Sequence, residues 1–113
     1  MLQTQLLNTS KFWTEYPIPS VAKDSPAFNP VFTIDLMWRG CVWGAPNWFV
    51  FEGLWAHSKL QIANELVAKW IALYAKSGIY EMYNPITGAP YGVQGLGMST
   101  VLLDAVYRLG LKR

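Results

Sequence analysis

The chain has 113 residues, a formal net charge of +2 and a single cysteine, and 52% of its residues are hydrophobic, 15% aromatic and 14% charged. One domain is the most that this length allows, and one cysteine excludes an internal disulfide and a cysteine-based zinc site. The weak, scattered positive charge argues against nucleic-acid binding. So much apolar material predicts exposed apolar patches, so we expect the chain to oligomerise or, preferably, to be part of a larger body.

The amino-terminal part carries few helix signals. Residues 1–15 predict at most a short helical piece, and residues 16–45 predict a long loop rich in proline with apolar anchors. The first residues lack the basic region and long apolar core of a signal peptide, and no apolar run reaches the ~18 residues of a membrane span. We therefore expect no membrane span and favour a cytoplasmic location.

Three helices are predicted by the apolar periodicity that follows, at about 46–57, 59–77 and 96–110. The first is apolar nearly all round and should be buried, whereas the second has one narrow polar stripe. The only charged interior residues of the third, Asp104 and Arg108, are four apart and able to pair.

No alternation typical of strands is visible, so the sequence predicts an all-α fold. It comprises three to four helices with irregular loops at 16–45 and 78–95, in one domain over 1–113. The helices and long aromatic loops together resemble part of a helical toroid.

One group of large aromatic residues precedes the first long helix. Three tryptophans and one arginine fall between Trp38 and Trp48. Aromatic rings stack on the apolar faces of sugars, while Arg and Asn side chains bond to the hydroxyls. The alternative is that these tryptophans are ordinary core. The two interpretations are balanced for Trp48, and a ligand-facing role is favoured for Trp38 and Arg39, which lie in a loop bounded by glycine.

A single acid, Glu81, lies in the second loop between Tyr80 and Tyr83. A carboxylate among aromatic residues at a helix-to-loop junction is common in carbohydrate sites. On spacing alone, a solvated loop acid beside two half-buried tyrosines is favoured. Other chemistry has less support. His57 is interpreted as a solvated turn residue and Cys41 as a buried, inert thiol. No metal-ligand spacing or cofactor motif is present.

Four motifs in chain order resemble the α-glycosidases of family 63 and the mannosylglycerate hydrolase-like group, and more distantly trehalase. They cover roughly residues 12 to 110. In order, they are Tyr16-Pro17-x-Pro19-Ser20, Met37-Trp38-Arg39-Gly40-x-x-Trp43-x-x-x-Asn47-Trp48, Tyr80-Glu81-x-Tyr83-Asn84-Pro85-x-Thr87-Gly88 and Gly95-x-Gly97-x-Ser99-Thr100.

The resemblance implies an (α/α)6 barrel that hydrolyses α-linked glucosides or mannosides with inversion. Carried over, Glu81 matches the general base that activates the attacking water. The implied substrate-binding residues, near the subsite for the reacting sugar, are Trp38, Arg39, Trp43, Asn47 and Tyr83.

Two departures from the family pattern limit what this chain can do alone. The family's general acid is an aspartate on a much earlier loop, and Asp24 and Asp35 lie in the wrong context to replace it. A complete barrel has about twelve helices. We therefore expect the carboxy-terminal portion of such an enzyme, inactive in isolation, with the upstream part of the barrel as a possible partner. The alternative function is a non-catalytic remnant or interaction module.

Overall fold

Three α-helices and a small sheet form the fold of residues 1–34 and 38–111, which are the part of the chain described by a computed structural model. Asp35 and Met37, considered above, lie outside these residues. The elements are a π-helical turn Leu2–Leu6, β1 Val42–Trp43, α1 Gly44–Ala56, α2 Leu60–Ser77, β2 Tyr80–Tyr83, β3 Pro90–Gln94, a 3-10 turn Gly97–Val101 and α3 Leu102–Leu111.

The three predicted helices are present, with shifted ends. The helix α1 begins at Gly44, two residues before Pro46, because proline is tolerated in a first turn whose N–H groups have no helical partner. The predicted start of α3 was wrong, since residues 97–101 form a 3-10 turn, and α3 continues past Gly110. Within the described residues, none of the helices combines the length and apolar content that crossing a bilayer requires.

The prediction of an all-α fold was wrong. The three strands form an antiparallel sheet in the order β1-β2-β3, with Val42 opposite Tyr83 and Trp43 opposite Met82. Strands of two, four and five residues are too short to show an alternating pattern. The loops predicted at 16–45 and 78–95 are therefore not irregular throughout, because they contain all three strands.

The turn between β2 and β3 closes through the side chain of Asn84. Its Oδ1 accepts hydrogen bonds from the backbone N–H groups of Ile86 at 2.9 Å and Thr87 at 3.1 Å. The backbone N–H of Asn84 donates to the carbonyl of Ala89 at 2.9 Å. An Asn side chain that bonds to the backbone two residues ahead is a common way to form a turn. The Asn84-Pro85 dipeptide, which lies in the loop predicted at 78–95, thus starts a hairpin turn.

The main core lies where the three helices meet. It is formed by Ile18, Phe51, Leu54, Ala63, Leu66, Val67, Trp70, Leu102, Ala105 and Leu109. The sheet packs on α2 through Val42 and Tyr83, which contact Leu73. The expectation that α1 is buried all round is not met, since Phe49 is 68% exposed.

An ion network joins α1 to α3, and the predicted pair of Asp104 and Arg108 is confirmed at 2.8 Å. Arg108 also contacts the carboxylate of Glu52 and lies over the ring of Trp48. The indole N–H of Trp48 donates to Asp104 at 2.7 Å. That bond, followed by the bond from Arg108, lowers the pKa of Asp104. These charges are engaged with one another in holding the two helices together.

Candidate active site

The sheet brings the tryptophan segment and the Glu81 segment together at one end of the α1–α2 hairpin. β1 leads directly into α1, and β2 closely follows α2. Trp43 on β1 is paired with Met82 on β2, and Glu81 is the residue immediately before Met82. From strand spacing alone, the Cα atoms of Glu81 and Trp43 lie roughly 6 Å apart. Two stretches nearly forty residues apart in sequence thus share one small sheet.

Glu81 lies opposite a β-bulge in β3. The register passes from the pair Tyr80–Gln94 to the pair Met82–Tyr91, so that both Gly92 and Val93 face the single residue Glu81. The side chain is half-buried, and its Oε2 accepts a hydrogen bond from the backbone N–H of Val93 at 3.1 Å. No hydrogen bond to Oε1 comes from residues 1–34 or 38–111. One carboxylate oxygen is therefore held by the chain, and the other accepts no hydrogen bond from the described residues.

Trp38 and Trp43 form a parallel stack next to the sheet. Their ring centroids are 3.9 Å apart and their planes differ by 9°. Trp43 is 3% exposed and packs with Cys41 and Met82, whereas Trp38 is 53% exposed. The buried ring supports the outer one, so Trp38 can offer a flat apolar surface of the kind on which a sugar ring stacks.

Arg39 is exposed and belongs to a loop that is hydrogen-bonded to residues 27–29. Its Nε donates to the carbonyl of Ala27 at 3.1 Å, and its own carbonyl accepts from the N–H of Asn29 at 2.7 Å. Within the described structure, neither Trp38 nor Arg39 is hydrogen-bonded to Glu81. Their participation in one sugar site with Glu81 stays a prediction.

Asn47 is buried, and its amide bonds to the backbone of two other segments. Oδ1 accepts from the N–H of Ile18 at 2.9 Å, and Nδ2 donates to the carbonyls of Ile18 at 3.2 Å and Trp43 at 2.9 Å. This amide therefore fixes the position of β1 relative to the amino-terminal loop. The predicted contact of Asn47 with substrate is untested, and the geometry favours a positioning role.

Tyr83 is also buried, and its hydroxyl closes the turn that leads from α2 into β2. The hydroxyl donates to the carbonyl of Gly78 at 2.6 Å and accepts from the N–H of Tyr80 at 2.7 Å. Burial raises the pKa of Tyr83 well above its usual value, so the phenol stays protonated and keeps its donor. It shapes the backbone on which Glu81 lies, and its predicted role as a substrate ligand is untested.

The bulge residues are the part of this site that the sequence analysis missed. Gly92 and Val93 lie in the loop predicted at 78–95, and neither was singled out there. A glycine between Tyr91 and a β-branched valine is a signal for a bulge in a strand. That signal was overlooked because no strand had been predicted there.

Comparison with known proteins decides the family. A family model described as the mannosylglycerate hydrolase MGH1-like glycoside hydrolase domain matches residues 1–100. The chain belongs to this family of glycoside hydrolases. The family relationship implied by the four sequence motifs is thereby confirmed.

Named members of the family align over most of this chain. The mannosylglycerate hydrolase of Thermus thermophilus is 36% identical over 100 residues, which is 86% of this chain and 23% of the relative. Mannosylglycerate hydrolase MGH1 of Selaginella moellendorffii is 35% identical over 77 residues, covering 68% of this chain and 15% of its own length. The chain thus spans less than a quarter of the length of these relatives.

Solved structures of related enzymes superpose on most of this chain. The crystal structure of the mannosylglycerate hydrolase of family GH63 from a second strain of Thermus thermophilus, in complex with glucose, has a TM-score of 0.68 and 35% identity. The match covers 88% of this chain and 23% of that one. The complex of the same enzyme with Tris and D-glycerate also has a TM-score of 0.68, with 22% of its chain covered.

Proposed function

We propose that this chain provides the general base and part of the sugar subsite of an inverting α-glycosidase. The observation that supports this most is the half-buried carboxylate of Glu81 on the central strand β2, one oxygen of which is held by the backbone N–H of Val93 on β3. The paired strand β1 ends at Trp43, on which the exposed ring of Trp38 is stacked. A carboxylate held on the same small sheet as an exposed aromatic ring suits the activation of water beside a bound sugar.

In the proposed mechanism, Oε1 of Glu81 accepts a proton from a water molecule. The oxygen of that water attacks the anomeric carbon from the side opposite the leaving group, so the configuration is inverted. Trp38 stacks on the sugar and Arg39 donates to its hydroxyls. The hydrogen bond from Val93 keeps the carboxylate oriented.

The mechanism also needs an acid to protonate the leaving oxygen, with the two carboxyl groups about 6.5–9.5 Å apart. Several other acids are engaged in ion pairs: Asp24 with Lys11 at 2.7 Å, and Glu52 and Asp104 with Arg108. We infer that the acid comes from the rest of the fold, in the same polypeptide or another.

The exposed apolar surface supports a partner of that kind. One face of α3 presents Leu103, Val106 and Tyr107 to solvent, with exposed fractions of 71%, 41% and 67%. A groove of about 440 Å³ lies between the amino-terminal turn and α1 and is lined by residues such as Leu2, Leu6 and Val50. Exposed apolar patches mark interfaces, so the part of the relatives that this chain does not span would cover them.

The names of the relatives support a proposal for the substrate class. Those relatives are named mannosylglycerate hydrolases, and one solved neighbour holds glucose while another holds D-glycerate with Tris. We propose an α-linked mannoside or glucoside of glycerate as the substrate of the assembled enzyme. The second candidate, a non-catalytic module that keeps the helices and interface, follows from the same exposed apolar surface if no acid-bearing partner is joined to it.

A chimera tests the proposal. This chain would replace the matching 100-residue segment of the Thermus enzyme, and sugar release from α-mannosylglycerate would be followed by NMR to identify the first anomer. We expect the folded chimera to release the inverted anomer and the separate 113-residue chain to release none. Turnover by the short chain alone would contradict the need for a second carboxyl group, and a retained anomer would exclude the inverting mechanism.

A further inference from the structure

We propose that the β-bulge at Gly92 and Val93 is a positioning device for the Glu81 carboxylate, and that Gly92 is its essential residue. This inference rests on the proposed role of Glu81 as the base. The bulge has two parts, a donor and a space. The N–H of Val93 donates to Oε2 of Glu81 at 3.1 Å. The space is the volume that a side chain at position 92 would fill and that glycine leaves to its neighbours.

The space at Gly92 is occupied by Glu81. A Cβ atom built on Gly92 would collide with Oε2 of Glu81 and would lie 2.8 Å from its Cβ and 3.0 Å from its Cδ. Real Cβ atoms essentially never approach that closely, so any larger residue at position 92 must move the carboxylate. Bulges occur next to active sites, where the extra residue changes the direction of a side chain.

The donor is not needed to hold the sheet together. The bulge interrupts the ladder between the pairs Tyr80–Gln94 and Met82–Tyr91, so that Val93 has no Cα partner on β2. Its N–H bonds to a side chain instead. The strand β3 is also at the edge of the sheet, where an irregular ladder costs the fold little. The geometry thus directs a backbone donor to one carboxylate oxygen and leaves the other one free to take a proton.

Gly95 provides a matched control for Gly92. Both residues have positive φ, +73° at Gly95 and +75° at Gly92, so alanine introduces similar backbone strain at either position. Nothing lies within 4 Å of a Cβ atom built on Gly95. A difference between Gly92→Ala and Gly95→Ala therefore measures displacement of Glu81 rather than strain.

The first measurement follows the Val93 amide by NMR in the 15N-labelled chain while the pH is lowered. In the wild type, the amide proton shift should report protonation of the Glu81 carboxyl, and Glu81→Gln should abolish this titration. Gly92→Ala should remove most of it and Gly95→Ala should keep it. Hydrogen exchange at Val93 should become at least about tenfold faster in Glu81→Ala, because hydrogen bonds to charged groups are stronger than neutral ones.

The second measurement is turnover by the chimera. Gly92→Ala should lower kcat by about a hundredfold with little change in KM, since a displacement of about 1 Å can cost that much. The factor by which Gly95→Ala lowers kcat should be at least tenfold smaller. Equal effects of the two alanine variants on kcat would overturn the inference. So would a Val93 amide whose pH-dependent shift is unchanged in Glu81→Gln and whose hydrogen exchange is unchanged in Glu81→Ala. Turnover that survives Glu81→Gln would instead refute the proposed base, while the amide data would still stand.

Discussion

Replacing Asn47 with alanine should destabilise the chain strongly, because the amide joins three segments. The change removes three hydrogen bonds of 2.9, 3.2 and 2.9 Å, two to Ile18 and one to Trp43. It also leaves the N–H of Ile18 in the buried core without its partner. Such bonds contribute about 0.5–1.5 kcal/mol each, and an unsatisfied buried group costs about 1–3 kcal/mol. We expect a loss of about 3 kcal/mol.

The assay is urea unfolding of the 113-residue chain, followed by tryptophan fluorescence. With a slope of about 1–3 kcal/mol per molar urea, the midpoint should fall by roughly 1–3 M. The matched control is Asn64→Ala on α2, which removes one bond from an exposed amide to the carbonyl four residues earlier, at 2.8 Å. Asn47 makes the same kind of bond to Trp43.

The control should cost less than about 0.5 kcal/mol, as surface substitutions usually do. If Asn47→Ala lost no more stability than Asn64→Ala, the Asn47 amide would not be what holds β1 to the amino-terminal loop. Loss of folding in Asn47→Ala alone would agree with the prediction, since it would show a cost larger than the total stability.

Three other predictions concern charge, burial and sugar contact. The folded pKa of Asp104 is lowered by the Trp48 and Arg108 bonds. Its stabilisation should therefore be present above the unfolded pKa of about 3.9 and lost at lower pH, and Asp104→Asn should flatten the acid limb of a plot of unfolding free energy against pH. Burial raises the pKa of Cys41 to about 11. A thiol reagent at pH 8 should accordingly react more than about a hundredfold slower with the folded chain than in denaturant. Trp38→Ala should weaken sugar binding by the chimera up to about tenfold, while the urea midpoint changes little because the ring is half exposed.

The helices could be read from the sequence because their signals are local. The polar stripe of α2 repeats every three to four residues, and the prediction of 59–77 differs from Leu60–Ser77 by one residue. The pairing of Asp104 with Arg108 was predictable for the same reason, since four-residue spacing places both on one face. The short gap between the helices predicted at 46–57 and 59–77 also indicated that the start of α1 lies near the end of α2.

The sheet could not be read in this way because its pairing is not local. β1 has two residues, Val42 and Trp43, and it becomes a strand only through its partner forty residues later. The same limit applies to Asn47, which looked like a sugar ligand. Its main partner, Ile18, lies 29 residues away in sequence. Motifs identify residues that matter to the family, whereas only the structure shows whether an amide faces a ligand or the backbone.

The most direct test of the central claim is turnover of α-mannosylglycerate by the chimera with Glu81→Gln, compared with Glu65→Gln. Glu65 is an exposed acid on α2, bonded to Gln61, so its change controls for loss of a charge. General base catalysis contributes about 10²–10⁴-fold, and Glu81→Gln should therefore lower kcat by at least a hundredfold with KM little changed. Glu65→Gln should retain full activity. Equal turnover in the two variants would contradict the assignment of Glu81 as the base.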